Sequence, residues 1–180
     1  MNRMDALSIE TALKSFSVLV DNREQMTPKA VERFAALGVP YQRATLNYGD
    51  YAGNIKTPSG TLYDATGSIS AACVIERKMD LDELAMCFTR GRDRFRREFE
   101  RAAEAKAKTF LLIEGGSWEA IYKHRYRSKF NPEAFAASLE AWSIRYDLTP
   151  IFCKPETSGR LIKELLYRQL KHQLETGVFG

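Results

Sequence analysis

Three ionisable residues have the types and the spacing of a metal-assisted hydrolytic site. Glu76 and Lys78 follow the apolar stretch 71–75, and residues two apart on a strand point to the same face, roughly 6.5–7 Å from each other. Asp50 follows Gly49 at the end of a neighbouring predicted strand. A Mg²⁺ ion shared by Asp50 and Glu76 would offset the cost of burying two carboxylates, because Mg²⁺ prefers carboxylate oxygens and retained water molecules.

These residue types suit the hydrolysis of a phosphodiester. The reaction needs a water molecule that is nucleophilic near neutral pH and stabilisation of the charge on the pentacovalent phosphate, and a divalent ion supplies both. Lys78 would orient or help deprotonate that water, and desolvation would lower its pKa from the usual value of about 10.4. A surface Glu–Lys pair at a strand end is the competing interpretation, which a lone ExK pattern favours.

The composition restricts other kinds of site. The chain has 180 residues, of which 44% are hydrophobic, and a formal charge of +4, so we expect one well-buried domain that is compatible with a polyanionic partner. The three cysteines and two histidines are dispersed, which suits neither a disulfide framework nor a zinc centre. Neither an apolar run of the ~20 residues that span a membrane nor a secretory leader is evident. We therefore expect a cytoplasmic protein.

Apolar periodicity and turn residues predict alternating strands and helices. The expected strands are 16–20, 39–46, 71–78, 109–113 and 150–153, and the expected helices are 27–37, 81–107 with a possible break at Gly91, 131–146 and 161–174. The segments 1–15 and 177–180 are expected to be loosely held. Alternation of this kind predicts an α/β fold in which helices flank a mixed central sheet on both sides.

Three motifs occur in order along the predicted strands. They are Val20-Asp21-Asn22-Arg23-Glu24 after the first strand, Gly49-Asp50-Tyr51 after the second and Val74-Ile75-Glu76-Arg77-Lys78 on the third, followed by Asp82 and by Gly91-Arg92. This order resembles the ERCC4-type nuclease domain of the XPF family, which belongs to the PD-(D/E)xK superfamily and is marked by GD, a variable gap, ERK, three residues and Asp. The resemblance implies an N-terminal extension over 1–15 and one nuclease domain with a restriction-endonuclease-like core over 16–176.

The resemblance also implies site residues for a metal-dependent DNA endonuclease that uses Mg²⁺, with Mn²⁺ as a substitute. Asp21, Asp50 and Glu76 are the implied metal ligands, and Lys78 is the implied catalytic lysine. The implied supporting residues are Arg23, Glu24, Arg77 and Asp82. Structural alternatives stay open: Asp21 and Glu24 could cap the turn, Asp82 could be a helix N-terminal carboxylate, and Arg77 faces away from Glu76 on an ideal strand.

Two basic segments could contact phosphates. Arg90 and Arg92 lie nearest the active strand and are the predicted contacts in the first segment, whereas a solvated, salt-bridged helix explains Arg97 and Arg101. The second segment runs from 123 to 129 and includes an aromatic residue, so it could follow a DNA backbone or form a disordered surface loop. Its predicted DNA contacts are Lys123, Arg125 and Arg127.

The family resemblance implies branched DNA as the substrate, such as flaps, forks and junctions, in repair, recombination or replication. Family members commonly add a tandem helix-hairpin-helix domain, which is not expected here; a standalone form suggests a bacterial or phage enzyme. A homodimer is also implied. The apolar side of the last helix could be its interface or could belong to the core; its residues are Ile162, Leu165, Leu166, Leu170 and Leu174.

Two other functions remain open at this stage. The family includes non-catalytic DNA-binding or scaffold partners whose active residues have decayed, although Asp50, Glu76 and Lys78 are all present here. A restriction-like PD-(D/E)xK nuclease would keep the chemistry and act on another substrate. Cleavage of flap, fork and plain duplex DNA side by side distinguishes these functions.

Overall fold

The structure, a computed structural model, describes residues 5–178. The strands are β1 (Ser17–Asp21), β2 (Tyr41–Leu46), β3 (Tyr51–Asn54), β4 (Lys56–Thr57), β5 (Gly60–Thr61), β6 (Ser68–Ile69), β7 (Cys73–Lys78), β8 (Lys108–Glu114) and β9 (Leu148–Cys153). The helices are α1 (Ala6–Leu13), α2 (Pro28–Ala35), α3 (Leu81–Phe88), α4 (Arg92–Glu104), α5 (Trp118–Tyr122), α6 (Pro132–Arg145) and α7 (Pro155–Thr176). Among the described residues, seven strands form one mixed sheet in the order β6-β2-β1-β3-β7-β8-β9, and β4 pairs with β5.

Helices cover both faces of this sheet, which confirms the predicted fold class. Leu112 of β8 packs into a cluster with α1, α2 and α7. Its neighbours Leu111 and Ile113 pack into a second cluster with α3, α4 and α6. Because successive side chains of a strand point to opposite faces, β8 contributes to both cores, and its middle residues 110–113 are continuously apolar.

Helix α7 lies across the first face and closes that core. Its residues Ile162, Leu166, Leu170 and Leu174 are buried there, with Leu165 packed at the edge. The stripe that was a candidate dimer interface is therefore core. Gly159 lets α7 approach α2 closely, since a Cβ atom at this position would meet the Arg33 carbonyl oxygen.

The N-terminal segment contains a helix that the sequence analysis did not predict. Asp5 caps α1 by accepting hydrogen bonds from the backbone amides of Leu7 and Ser8, and the buried face of α1 packs against α7. The expectation of a loosely held segment is thus wrong for 6–13, while 1–4 and 179–180 lie outside the described residues. Helix α7 begins at Pro155, a residue type favoured at the first helical position, rather than near 161. The prediction missed this start because the first turn is polar and carries no apolar periodicity.

Strand β3 gives Asp50 a different position in the sheet from the predicted one. Asp50 was expected at the end of the strand next to the ExK strand, but β2 is separated from β7 by β1 and β3. Asp50 instead precedes β3, which pairs antiparallel with β7 through Tyr51↔Ile75 and Ala52↔Val74. No helix within 5–178 combines the length and the apolar character needed to cross a membrane.

Candidate active site

A glycine turn places Asp50 beside the end of β7. Gly49 has a φ of 72°, and a Cβ atom there would lie 2.6 Å from the Cβ of Val74, so both conformation and space require glycine. The backbone amide of Asp50 donates to the carbonyl of Ile75 at 2.8 Å. One carboxylate oxygen of Asp50 accepts a hydrogen bond from the Arg77 amide at 2.7 Å. These contacts hold Asp50 where β7 turns polar.

Glu76 and Lys78 form a buried ion pair on the face of β7 that points toward α3 and α4. Lys78 Nζ donates to Glu76 Oε1 at 2.6 Å, and the two residues are 7% and 6% exposed. The ammonium also lies 5.0 Å from the ring centre of Phe95, within cation–π range. Asp50, Glu76 and Lys78 line one cavity of about 560 Å³, so the structure brings together the three residues with which the sequence analysis began.

Glu98 of α4 lines the same cavity, although it was not among the predicted site residues. It is only 9% exposed. Its carboxylate accepts hydrogen bonds from Arg23 at 3.4 Å and from Arg101 at 3.2 Å. The signal in the sequence is its position three residues after Phe95 and directly before Phe99, at the edge of the apolar stripe of the helix.

The carboxylates of this cavity repel one another. Burial raises the pKa of Asp50 well above its usual value, and the charge of Glu76 raises it further, while Lys78 and the amide of Arg77 act in the opposite direction. Burial also raises the pKa of Glu98, with a further contribution from Glu76. Burial and the charge of Glu76 thus both disfavour the charged forms of Asp50 and Glu98.

Lys78 keeps its proton in the metal-free protein. Burial by itself lowers the pKa of Lys78, but the charges of Glu76 and Asp50 outweigh burial and raise that pKa above its usual value. The expected lowering is therefore absent here, because two carboxylates lie close to the ammonium. A protonated Lys78 can donate hydrogen bonds and balance phosphate charge, whereas it cannot accept a proton from water.

The opposite face of β7 carries a second ionic cluster, which is fully paired. Arg77 donates to Glu114 through Nε at 2.8 Å and Nη2 at 3.1 Å. Glu24 accepts hydrogen bonds from Arg33 and from the hydroxyl of Tyr51, and Arg33 Nε donates to that hydroxyl at 2.9 Å. Arg77 and Glu24, both implied supporting residues, therefore meet in a buried network behind the strand.

Asp21 lies in the turn after β1 with both carboxylate oxygens engaged. Its Oδ1 accepts from the backbone amide and the Nε of Arg23 at 2.8 and 2.7 Å, and its Oδ2 accepts from the amide of Leu46 at 2.8 Å. Asp21 is 1% exposed. This placement matches the turn-capping alternative rather than the implied metal ligand. Arg23 itself lines the cavity and connects Asp21 to Glu98.

Asp82 anchors the basic segment that follows α5. Its Oδ1 accepts from the amides of Arg127 and Ser128 at 2.8 and 2.7 Å, and its Oδ2 accepts from Arg127 Nε at 3.0 Å. Arg127 lines a larger groove next to the catalytic cavity, whereas Lys123 and Arg125 line neither of these two spaces. Asp82 thus orders a loop that carries one of the three predicted phosphate contacts.

The arginines at and just before the start of α4 make different contacts. Arg90 and Arg94 line the cavity that contains Asp50 and Glu76. Arg92 donates to the carbonyl of Phe88 at 3.2 Å, and its guanidinium lies 5.3 Å from the centre of the Trp142 ring. Arg94, which was not a predicted phosphate contact, therefore lines the cavity, whereas Arg92, which was predicted to contact phosphate, does not.

The donor set fits a hard divalent cation. Among residues 5–178, no three His, Cys, Asp or Glu side chains are clustered as a complete protein-only metal site. Asp50 and Glu76 offer two carboxylates beside an open cavity. Mg²⁺ is commonly bound through one or two carboxylates and keeps several of its water molecules, so two carboxylates suffice for it.

A mixed α/β sheet that presents two carboxylates and a lysine at a strand tip defines the restriction-endonuclease-like class of fold. The chain matches the family model described as ERCC4 domain over residues 20–165. It therefore belongs to the ERCC4 domain family, a family of nuclease domains.

Two solved structures with a similar fold are from Aeropyrum pernix. XPF from this organism is 23% identical with a TM-score of 0.58, over 83% of this chain and 64% of that chain. The same protein in complex with DNA is 23% identical with a TM-score of 0.58, over 87% of this chain and 65% of that chain. The chain thus spans just under two thirds of the length of both. A comparison with curated proteins gave no match.

Proposed function

We propose that this chain is a divalent-metal-dependent DNA endonuclease that hydrolyses phosphodiester bonds. The observation that carries the proposal is the cavity in which Asp50, Glu76 and Lys78 meet. Membership of the ERCC4 domain family supports it. The three residues lie on or next to two adjacent strands of the sheet, β3 and β7, so the rigid core of the fold positions them.

Mg²⁺ is the proposed cofactor, and Mn²⁺ is expected to replace it. Asp50 and Glu76 would hold the ion. When bound, the ion would lower the pKa of a water molecule and stabilise charge that develops on the phosphate. The raised pKa of Asp50, caused by burial and by Glu76, supports this fit, because a cation between the carboxylates would relieve that repulsion.

The other side chains of the cavity orient the substrate. Lys78 holds Glu76 through the 2.6 Å hydrogen bond and would orient the attacking water or help to deprotonate it, and it would balance charge on the phosphate. Arg90 and Arg94 at the rim would contact flanking phosphates without reading sequence. Glu98 holds Arg23 and Arg101 beside the cavity.

Branched DNA is the proposed substrate, with repair, recombination or replication as the process. The family resemblance supports this choice, and one similar structure, XPF from Aeropyrum pernix, contains DNA. A homodimer is the assembly that the family suggests. Since the apolar stripe of α7 is core, such a dimer needs another surface, and sedimentation of the purified chain tests whether it forms.

The first experiment tests metal dependence. Purified protein is incubated with a labelled flap substrate in Mg²⁺, in Mn²⁺ and in excess EDTA, with Glu76→Gln as the control for contaminating nucleases. We expect cutting with either metal and none in EDTA or by Glu76→Gln. Undiminished cutting in EDTA would exclude the proposed chemistry, and tight binding without cutting in Mg²⁺ would instead indicate a non-catalytic DNA-binding module.

The second experiment tests the substrate. Initial rates are compared on a flap, a fork, a plain duplex and a single strand of shared sequence. Flaps and forks should be cut faster than the duplex, and the cut sites should show no preferred sequence, because phosphate contacts carry no sequence information. Equal rates on flap and duplex would favour a restriction-like nuclease with another substrate and would leave the hydrolytic assignment intact.

A further inference from the structure

A groove of about 1300 Å³ opens beside the catalytic cavity. Arg23, Met86 and Arg90 line both spaces, so the groove is continuous with the cavity. The start of α2, the exposed side of α3 and the segment 127–131 form its walls. A polymer whose scissile phosphate sits at Glu76 would extend into this groove.

The ionisable side chains that line the groove carry a net positive charge, with seven cations and five carboxylates. Of the five acidic residues, Glu24 and Glu114 pair with the buried arginines, and Asp82 pairs with Arg127. The other two keep their charge and accept hydrogen bonds from backbone amides: Asp80 caps α3, and Glu83 accepts from Met79. The exposed side chains of Lys29 and Lys129 also line the groove, and within 5–178 neither forms an ion pair.

Apolar side chains line the same groove. Met79 and Met86 are 55% and 49% exposed, and the half-buried ring of Phe130 lines the groove with them. A duplex presents phosphates and sugars to such a surface and keeps its bases stacked inside. A single strand exposes the faces of its bases, which pack on apolar and aromatic side chains while lysines contact the phosphates.

The wall that carries Lys129 and Phe130 is preorganised. Asp82 holds the two preceding residues, Arg127 and Ser128, through three hydrogen bonds of 2.7 to 3.0 Å, and the amide of Phe130 donates to the Ser128 hydroxyl at 3.2 Å. Binding therefore requires little ordering of this loop.

We propose that this groove binds a single-stranded arm of nucleic acid, with Lys29 and Lys129 on its phosphates and Met79 and Phe130 against its bases. The inference rests on the proposed endonuclease function, since it places the unpaired arm of a flap or fork next to the phosphate that is cut. A preference for branched DNA would then arise within this domain.

The test compares two double variants that remove the same charge. Lys29→Ala with Lys129→Ala changes the groove. Lys14→Ala with Lys56→Ala is the control, since these exposed lysines lie by α1 and β4, at the end of β3 opposite Asp50. Binding of a fluorescent oligothymidylate and of a blunt hairpin duplex is measured in EDTA as salt is varied.

The groove variant should bind the single strand at least about tenfold more weakly at low salt. The slope of log K against log salt should fall by about 1.4, or about 0.7 for each lost phosphate contact on a single strand. The groove variant should bind the duplex as wild type does, and the control variant should bind both ligands as wild type does. Met79→Ala should weaken single-strand binding without changing the slope, because it removes a base contact and no charge.

Equal losses on single strand and duplex, or a control variant that matches the groove variant, would overturn the proposal. Cleavage assays separate this result from failure of the proposed function. If the wild type cuts flaps and the groove variant keeps both its single-strand affinity and its flap-to-duplex rate ratio, the groove assignment fails and the endonuclease stands. If the wild type cuts no DNA but the binding pattern holds, the endonuclease fails and the groove stands.

Discussion

The two faces of β7 carry ionic clusters of similar burial that differ in how completely their carboxylates are paired. Behind the strand, two carboxylates meet two guanidinium groups and a tyrosine hydroxyl, and each is paired. In front of it, Asp50, Glu76 and Glu98 share a cavity with the single ammonium of Lys78, while Arg23 and Arg101 reach Glu98 from partly exposed positions.

This difference distinguishes a cluster that stabilises the fold from one that a bound cation would stabilise. A buried charge whose partner is removed costs several kcal/mol, so a balanced cluster tolerates no single deletion. A cluster with excess charge of one sign is relieved by removing a like charge or by adding a counter-ion. Neutralising one residue in each cluster should therefore have opposite effects on stability, and four predictions test this contrast.

The largest expected effect is that of Asp50→Asn on activity. The amide keeps an acceptor for the Arg77 backbone N–H but weakens metal binding, so cleavage should fall by about 10³-fold, which corresponds to the loss of several kcal/mol of charge stabilisation. Rates on a flap substrate in Mg²⁺ measure the change. In metal-free buffer the thermal midpoint should be unchanged or raised, because repulsion with Glu76 is relieved; a marked drop would make Asp50 structural.

Arg77→Met should have the opposite effect on stability. It leaves Glu114 buried without its main partner, so the free energy of unfolding should fall by about 3–5 kcal/mol. Urea titrations measure the free energy of unfolding. The double variant Arg77→Met with Glu114→Gln should lose less than the sum of the two single variants. A purely additive result would mean that the two side chains do not interact and that the cluster behind the strand is not a coupled unit.

The pH dependence of stability should differ between wild type and Asp50→Asn. The folded-state pKa of Asp50 is raised by burial and then by Glu76. The stability that this group contributes is therefore fully present below its unfolded-state pKa of about 3.9. That contribution is lost as the pH rises through the folded-state pKa. Without metal, Asp50→Asn should gain stability relative to wild type as the pH rises. Thermal midpoints from pH 4 to 8 measure the difference in stability between the variant and wild type, which saturating Mg²⁺ should reduce. A difference that does not change with pH contradicts a raised pKa of Asp50.

The smallest expected effects concern the rim arginines. Arg94→Ala should lower the salt slope of duplex binding by about 0.9, which corresponds to one phosphate contact. Arg92→Ala should leave that slope unchanged and lower stability by about 0.5–1 kcal/mol through the lost contact with Trp142. The reverse pattern would restore the original assignment of Arg92 and would show that the orientation of α4 differs on DNA.

The core elements and the meeting of Glu76 and Lys78 on one face were predictable because they depend on local patterns. Apolar runs marked β1, β7 and β8 to within a few residues, and period-two alternation predicted that Glu76 and Lys78 share a face while Arg77 points away. The fold class followed from the alternation of strands and helices. The position of Asp50 after Gly49 at a predicted strand end selected it from among the other carboxylates, and the family motif agreed with that choice.

The remaining features depend on contacts between distant segments. Strand β3 is short and includes Gly53 and Asn54, so it has a weak strand signature, and only its pairing shows that Asp50 lies next to β7. Glu98 joins the cavity because of how α4 packs, since i,i+3 pairing on an isolated helix predicts a solvated ion pair equally well. The raised pKa of Lys78 depends on two carboxylates from separate parts of the chain, which no local pattern reports.

The pairing of β7 has a consequence for folding. Side chains alternate along a strand, so a shift of β7 by one residue against its neighbours would exchange its two faces. Arg77 would then point toward the cavity, and Glu76 and Lys78 would point toward Glu114 and Arg33. The parallel alignment with β8 runs from Cys73↔Lys108 to Lys78↔Ile113, and the native alignment matches each charged residue to its partners. The charges that serve the proposed reaction therefore also help the chain to select its correct strand alignment as it folds.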